Sequence, residues 1–186
     1  DEESFWAARA AETFCKNGQY DRGIFSIYFF NLLHLKKGEG IYQPAGLPHA
    51  YLEGQNIEIM ANSDNVLRAG LTDKHIDVPE LMKHTIFTET IPKVLAPSAN
   101  NSTRNYENPA EEFQLSSFSF AEGEQALFET TSAETLLVLE GAIRINATNA
   151  ELIIEKGNAA FVTASTSYII TALSEVVFFK AGVPLI

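Results

Sequence analysis

From residue 112 onwards the chain is a succession of short apolar or alternating runs: FQLSSFSF, ALFETT, TLLVLEGAIRINA, AELIIEKGNAAFVTA, TSYIITAL and EVVFFKAG. Turns containing Gly, Ser and Asn separate them. Short strands punctuated in this way predict an antiparallel sandwich or barrel. No histidine follows His84, so this half has no imidazole to offer a metal and its expected role is structural.

The first half is less uniform. Residues 3–16 read as a helix, because Trp6, Ala7, Ala10, Ala11 and Phe14 fall on one stripe while Arg9 and Glu12 fall off it. Asn17-Gly18 is the expected stop, and Asp21-Arg22-Gly23 a turn. Residues 24–35, IFSIYFFNLLHL, predict a buried strand, with a helical turn before it as an option, that carries His34 as a hydrogen-bonded core or edge residue. A short strand is expected over 40–43, followed by the rigid turn Pro44-Ala45-Gly46-Leu47-Pro48. Two prolines fix φ there and the glycine supplies a conformation other residues resist. His49 comes next, at the start of a strand expected over 50–52, and a further strand is expected over 56–60. Ser63-Asp64-Asn65 reads as a turn or cap, with Arg68 four residues beyond Asp64. Residues 78–84, VPELMKH, predict a short helix with proline in its first turn. Residues 96–110, APSANNSTRNYENPA, read as a linker. The expected organisation is therefore residues 1–95, a linker over 96–110, and residues 111–186.

Charge narrows the partners. Thirteen basic against twenty-four acidic side chains give a formal charge of −11, which argues against nucleic acid and against an anionic membrane face. A small anionic substrate needs only a few cations focused in one cleft. Cys15 is the single cysteine, which excludes an internal disulfide and a cysteine-based metal site. No run reaches the roughly 18 apolar residues of a membrane span, and no signal peptide is present. The first residues, DEESFW, lack a methionine, as a fragment or processed product would.

The spacing Gly38-x5-Pro44-x-Gly46-x2-His49 resembles the second of the two motifs by which cupin barrels are recognised, with Glu53 where asparagine is usual. The stretch that follows, HAYLEGQNIEIMANSDNVLRAGLTDK, closely resembles the signature of type I phosphomannose isomerases. It departs from that signature at Asp73, where the family commonly has proline. The resemblance extends upstream through NLLHLKKGEGIYQPAG and more loosely through the C-terminal half. It implies a mainly β chain of cupin-type jelly-roll barrels: part of a central metal-site barrel, then a C-terminal barrel without metal, with a short helical segment at the start.

The resemblance also implies a cytoplasmic zinc enzyme interconverting mannose 6-phosphate and fructose 6-phosphate. Matched residue by residue, His49 is the zinc ligand and Arg68 the catalytic arginine. Tyr51, Glu58, Asp64 and Lys74 fall in or near the active site. Aldose–ketose isomerisation moves a proton between adjacent carbons through an enediol, so it needs an acid–base group and a stabiliser for the developing oxyanion. Glu58 and Asp64 are both candidates for the first. Arg68 and Lys74 are the cations that would hold a sugar phosphate, and Tyr51 is assigned to substrate binding. Zinc needs about four ligands, or three plus water. The family's Gln-x-His pair and first cupin motif do not occur in this sequence. The expectation is therefore the C-terminal portion of an isomerase, inactive alone and completed by an upstream segment or another chain. The alternative is a non-catalytic cupin module that binds sugar phosphate.

Overall fold

The computed structural model of the chain describes residues 1–63, 65–96 and 102–184. They gather into two compact units, one of residues 1–57 and 62–94 and the other of residues 58–61 and 95–186.

The first unit opens with helix α1 (Glu2–Phe14), whose N-cap Asp1 accepts a hydrogen bond from the Ser4 amide at 2.9 Å. The expected stripe is its inner face: Ala7 is buried, Trp6, Ala10, Ala11 and Phe14 are half-buried, and Arg9 and Glu12 are exposed. The helix stops at Phe14, ahead of Asn17-Gly18. Those two residues instead adopt φ of 55° and 75° and form a tight turn that bridges Lys16 to Gln19. Helix α3 (Val78–His84) matches the predicted one. Asp77 caps it at the Glu80 amide, 3.0 Å away, and Glu80 pairs with Lys83 at 2.6 Å and His84 at 2.9 Å. The bonds from Lys83 and then His84 hold the Glu80 carboxyl below its ordinary pKa.

Residues 24–35 are not a strand. Asp21 caps a 3-10 turn (Arg22–Phe25) by accepting the Gly23 amide at 2.7 Å, and that turn runs into a single helical turn, α2 (Ser26–Phe29). A uniformly apolar run has no period to distinguish strand from helix, and here the cap decides. Ile27 is buried, but Phe25, Tyr28, Phe29 and Phe30 are exposed, Phe29 to 82 %. His34 is also exposed, with its Nε2 2.8 Å from the Glu2 carboxylate. Of the strand expected over 40–43, only β1 (Gly40–Ile41) forms. A second two-residue strand, β2 (Val94–Leu95), follows α3. Residues 50–52 and 56–60 have no strand structure. Their alternation suits a strand, but a strand exists only through its partner's hydrogen bonds.

The second unit is the antiparallel sandwich that the short runs predict. Its strands are β3 (Thr103–Tyr106), β4 (Gln114–Phe120), β5 (Gln125–Glu129), β6 (Glu134–Glu140), β7 (Ala142–Ala147), β8 (Ala150–Glu155), β9 (Ala159–Val162), β10 (Ser167–Ala172) and β11 (Val176–Gly182). β3 falls inside the expected linker, and residues 97–101 of that linker lie outside the described residues. Five strands form one sheet in the order β3-β4-β11-β6-β9, and four form the other in the order β5-β10-β7-β8. Every pairing in the two sheets is antiparallel.

Inward side chains recur every second residue, as the pleat demands. Phe118, Phe120, Leu136, Val138, Val176 and Phe178 from the first sheet meet Ile143, Ile145, Ile154, Tyr168 and Ile170 from the second. Phe118 stacks on Phe178 with centroids 4.8 Å apart. At the tight β6–β7 junction Gly141 has φ +74°, and a β-carbon there would run into the Glu175 carbonyl, so only glycine fits.

One polar cluster interrupts this core. Glu134, 8 % exposed, accepts hydrogen bonds from Lys180 Nζ at 2.6 Å and from the Tyr168 hydroxyl at 3.0 Å. Burial, and then the neighbouring Glu134 charge, push the Tyr168 phenol far above its ordinary pKa. A folded-state pKa raised in this way gives stability that is fully present below the unfolded value, about pH 10, and is lost as pH rises above it, because only the unfolded phenol ionises. Stability should thus fall above about pH 10 by at most about 1.4 kcal/mol per pH unit from this residue. Urea titrations at pH 8 to 11 of wild type and Tyr168→Phe check this. Equal alkaline slopes in the two proteins would contradict it.

Candidate functional site

The turn at 44–48 is positioned by its own glycine. Gly46 has φ +77°, and a β-carbon there would lie 2.7 Å from the His84 carbonyl and against Ile86. The close approach lets the Gly46 carbonyl accept the Ile86 amide at 2.8 Å, which seats the turn on the end of α3. His49 leaves this turn with its side chain exposed. Its Nδ1 lies 3.1 Å from the Leu47 carbonyl. A carbonyl only accepts, so in the neutral ring this contact selects the tautomer with the proton on Nδ1 and the lone pair on Nε2. A backbone carbonyl holding the distal ring nitrogen is how metal-binding histidines are commonly oriented. Tyr51, 62 % exposed, meets the imidazole edge-on, with centroids 6.0 Å apart.

Arg68 and Lys74 share one loop, and both are exposed. The loop is shaped by Gly70 at φ +148° and Leu71 at φ +50°, and by a turn in which Thr72 Oγ1 accepts the Lys74 amide at 3.1 Å. Glu58 is exposed and lies in the segment Glu58–Ala61, which groups with the second unit. Asp64 lies outside the described residues. Among the described residues no three of His, Cys, Asp or Glu come together as a metal-binding group. His49 therefore fits a zinc ion as one ligand, but the described residues do not complete a site.

Two features were not legible beforehand. The Asp21 carboxylate spans from its own turn to the Leu71 amide at 3.0 Å, and only the Asp-x-Gly spelling of a capped turn hinted at it. A cavity of about 200 Å³ in the second unit is lined mostly by apolar groups, among them Ile145, Leu152, Phe161 and Val162, and none of the candidate residues faces it.

No family model matches the sequence. The chain is 35% identical over 167 residues to mannose-6-phosphate isomerase 2 of Arabidopsis thaliana, covering 88% of this chain and 38% of that protein. It is 37% identical over 150 residues to the mannose-6-phosphate isomerase of Salmonella typhimurium, covering 79% and 38%. Among solved structures, a variant of the Salmonella typhimurium phosphomannose isomerase superposes with a TM-score of 0.76 and 28% identity, over 98% of this chain and 51% of that one. A structure of the same enzyme bound to its substrate, fructose 6-phosphate, and to zinc gives a TM-score of 0.75 at 28% identity, over 98% and 49%. The chain thus spans less than half the length of these curated relatives. With a mainly β fold, a helical start and this likeness along nearly its whole length, the chain belongs to the phosphomannose isomerase (mannose-6-phosphate isomerase) family and corresponds to the C-terminal part of its members.

Proposed function

We propose that this chain is the C-terminal portion of an aldose–ketose isomerase that interconverts mannose 6-phosphate and fructose 6-phosphate, and that it is inactive alone. The likeness to mannose-6-phosphate isomerases at 35% identity over 167 residues carries this reading. The held tautomer of His49 supports its role as a ligand. Residues 1–95 are part of the metal-site cupin barrel, and 111–186, joined by β3 from the connecting stretch 96–110, form a cupin-like barrel without metal. The interleaved order of β5-β10-β7-β8 against β4-β11-β6-β9 supports reading the latter as a jelly roll. The cytoplasm is the setting this metabolic reaction implies.

The chemistry assigns the residues. When bound, zinc would supply a Lewis acid beside the sugar oxygens, and His49 would be its one ligand from this chain. Arg68 stabilises the oxyanion that develops when a proton leaves the carbon next to the carbonyl, because a guanidinium keeps its charge throughout. Lys74 binds the phosphate as a compact point charge. Tyr51, edge-on to His49, offers a hydroxyl to the sugar, and Glu58 or Asp64 carries the proton between the two carbons. The exposed aromatics Phe25, Tyr28, Phe29 and Phe30 support completion by further polypeptide, since large apolar side chains left in water within one short stretch are what an interaction surface would cover. That polypeptide is an upstream segment or another chain.

The test measures zinc content and fructose 6-phosphate turnover on this chain alone, and again after adding the upstream portion that the relatives carry. The expected result is no turnover and substoichiometric zinc alone, then about one zinc per chain and turnover when completed. A completed protein that binds fructose 6-phosphate without zinc or turnover would establish a non-catalytic sugar-phosphate module instead.

A further inference from the structure

We infer that Asp21 is the positioning residue of the Arg68–Lys74 loop: one carboxylate ties the backbone that presents both cations to the turn that follows α1. Its Oδ1 accepts the Gly23 amide at 2.7 Å, and its Oδ2 accepts the Leu71 amide at 3.0 Å, fifty residues away in sequence. The aspartate is itself held, because its own amide donates to Cys15 Sγ at 3.3 Å. The two backbones meet in van der Waals contact. A β-carbon at Gly23 would lie 2.9 Å from the Leu71 nitrogen, and one at Gly70 would lie 2.9 Å from the Gly23 α-carbon.

Leu71 shows what the contact does to the loop. It adopts φ +50°, a region a branched side chain resists and keeps only where its surroundings impose it. The Asp21 bond to its amide is such an imposition. It falls between Arg68 and Lys74, so it fixes the chain path on which both lie. The Lys16–Asp73 ion pair at 3.1 Å is largely exposed on both sides and contributes little to this. Asp21 touches no reacting group, and it acts on sugar phosphate only through the loop. This role rests on the isomerase reading of Arg68 and Lys74.

Two variants separate pinning from simple capping. Asp21→Ser keeps a hydroxyl that caps Gly23 but is too short to span to Leu71. Asp21→Asn leaves one acceptor oxygen and turns a donor towards the second amide. On the longest native polypeptide that carries this sequence, amide hydrogen exchange over residues 66–74 should rise at least tenfold in both variants, with exchange in α1 and in the second unit unchanged. Fructose 6-phosphate affinity by calorimetry should fall about tenfold through Lys74, and any turnover should show a raised KM together with a lowered kcat through Arg68. Unchanged exchange in residues 66–74 overturns the pinning. Faster exchange with unaltered affinity, while Lys74→Ala weakens binding, overturns the positioning role and leaves the isomerase reading standing. If neither wild type nor Lys74→Ala binds the sugar phosphate, the isomerase reading itself has failed, and the positioning role falls with it even though the exchange result stands.

Discussion

Glu134→Ala is expected to destabilise the second unit by about 3–5 kcal/mol, towards the lower end of that range. The carboxylate is nearly enclosed at the start of β6 and is the shared acceptor for Lys180 at 2.6 Å and Tyr168 at 3.0 Å. Its removal leaves an ammonium 5.6 Å above the Phe128 ring and a buried hydroxyl, both without their acceptor. An unsatisfied buried group costs its full desolvation penalty, whereas the intact pair contributes modestly to net stability because both charges were dehydrated to form it. The Lys180 side chain retains 22% exposure, so water offsets part of the loss. The asymmetry is itself testable. Combining Glu134→Leu with Lys180→Met should recover part of the stability, because two apolar groups then fill the place of the ion pair and only the Tyr168 hydroxyl is left without its acceptor. Guanidinium denaturation of the single and double variants gives the comparison. A double variant no more stable than Glu134→Ala would mean that the cluster's shape, and not its unpaired charge, controls the loss.

Arg68→Ala should lower isomerase turnover by about 10²–10³-fold in the completed protein while leaving its zinc in place, the scale seen when one donor to a developing oxyanion is removed. His49→Ala should act the other way round, with zinc occupancy falling first and turnover following it. The contrast comes from position. His49 presents Nε2 from a turn fixed by Gly46 and the Leu47 carbonyl, whereas Arg68 lies on the loop shaped by Gly70 and Leu71. Metal analysis and steady-state kinetics on the same preparations distinguish the two effects. Normal zinc and normal turnover in both variants would remove both residues from the site.

The structure also shows which levels of organisation the chain's own text carries. Helices α1 and α3 were legible because their signals are local: an apolar stripe at 3.6-residue spacing in the first and a proline in the first turn of the second. The strands of the sandwich were legible as short apolar or alternating runs between turns, and a pleat places every second side chain on one face. The kinds of residue at the candidate site were legible through the 49–74 stretch, in which motif and spacing are contiguous.

Sequence by itself thus determined helices α1 and α3, the succession of short strands and turns that builds the sandwich, and the residue types from which a site is drawn. Tertiary structure alone decided that residues 50–52 and 56–60 find no ladder and which strand joins which sheet. It also decided the reach of Asp21 to Leu71 and of Lys180 to Glu134, fifty and forty-six positions apart. The physical reason is one of range. Propensity, capping and periodicity act within a few residues, whereas a strand's partner and a carboxylate's second hydrogen bond are chosen by whatever backbone folding brings alongside.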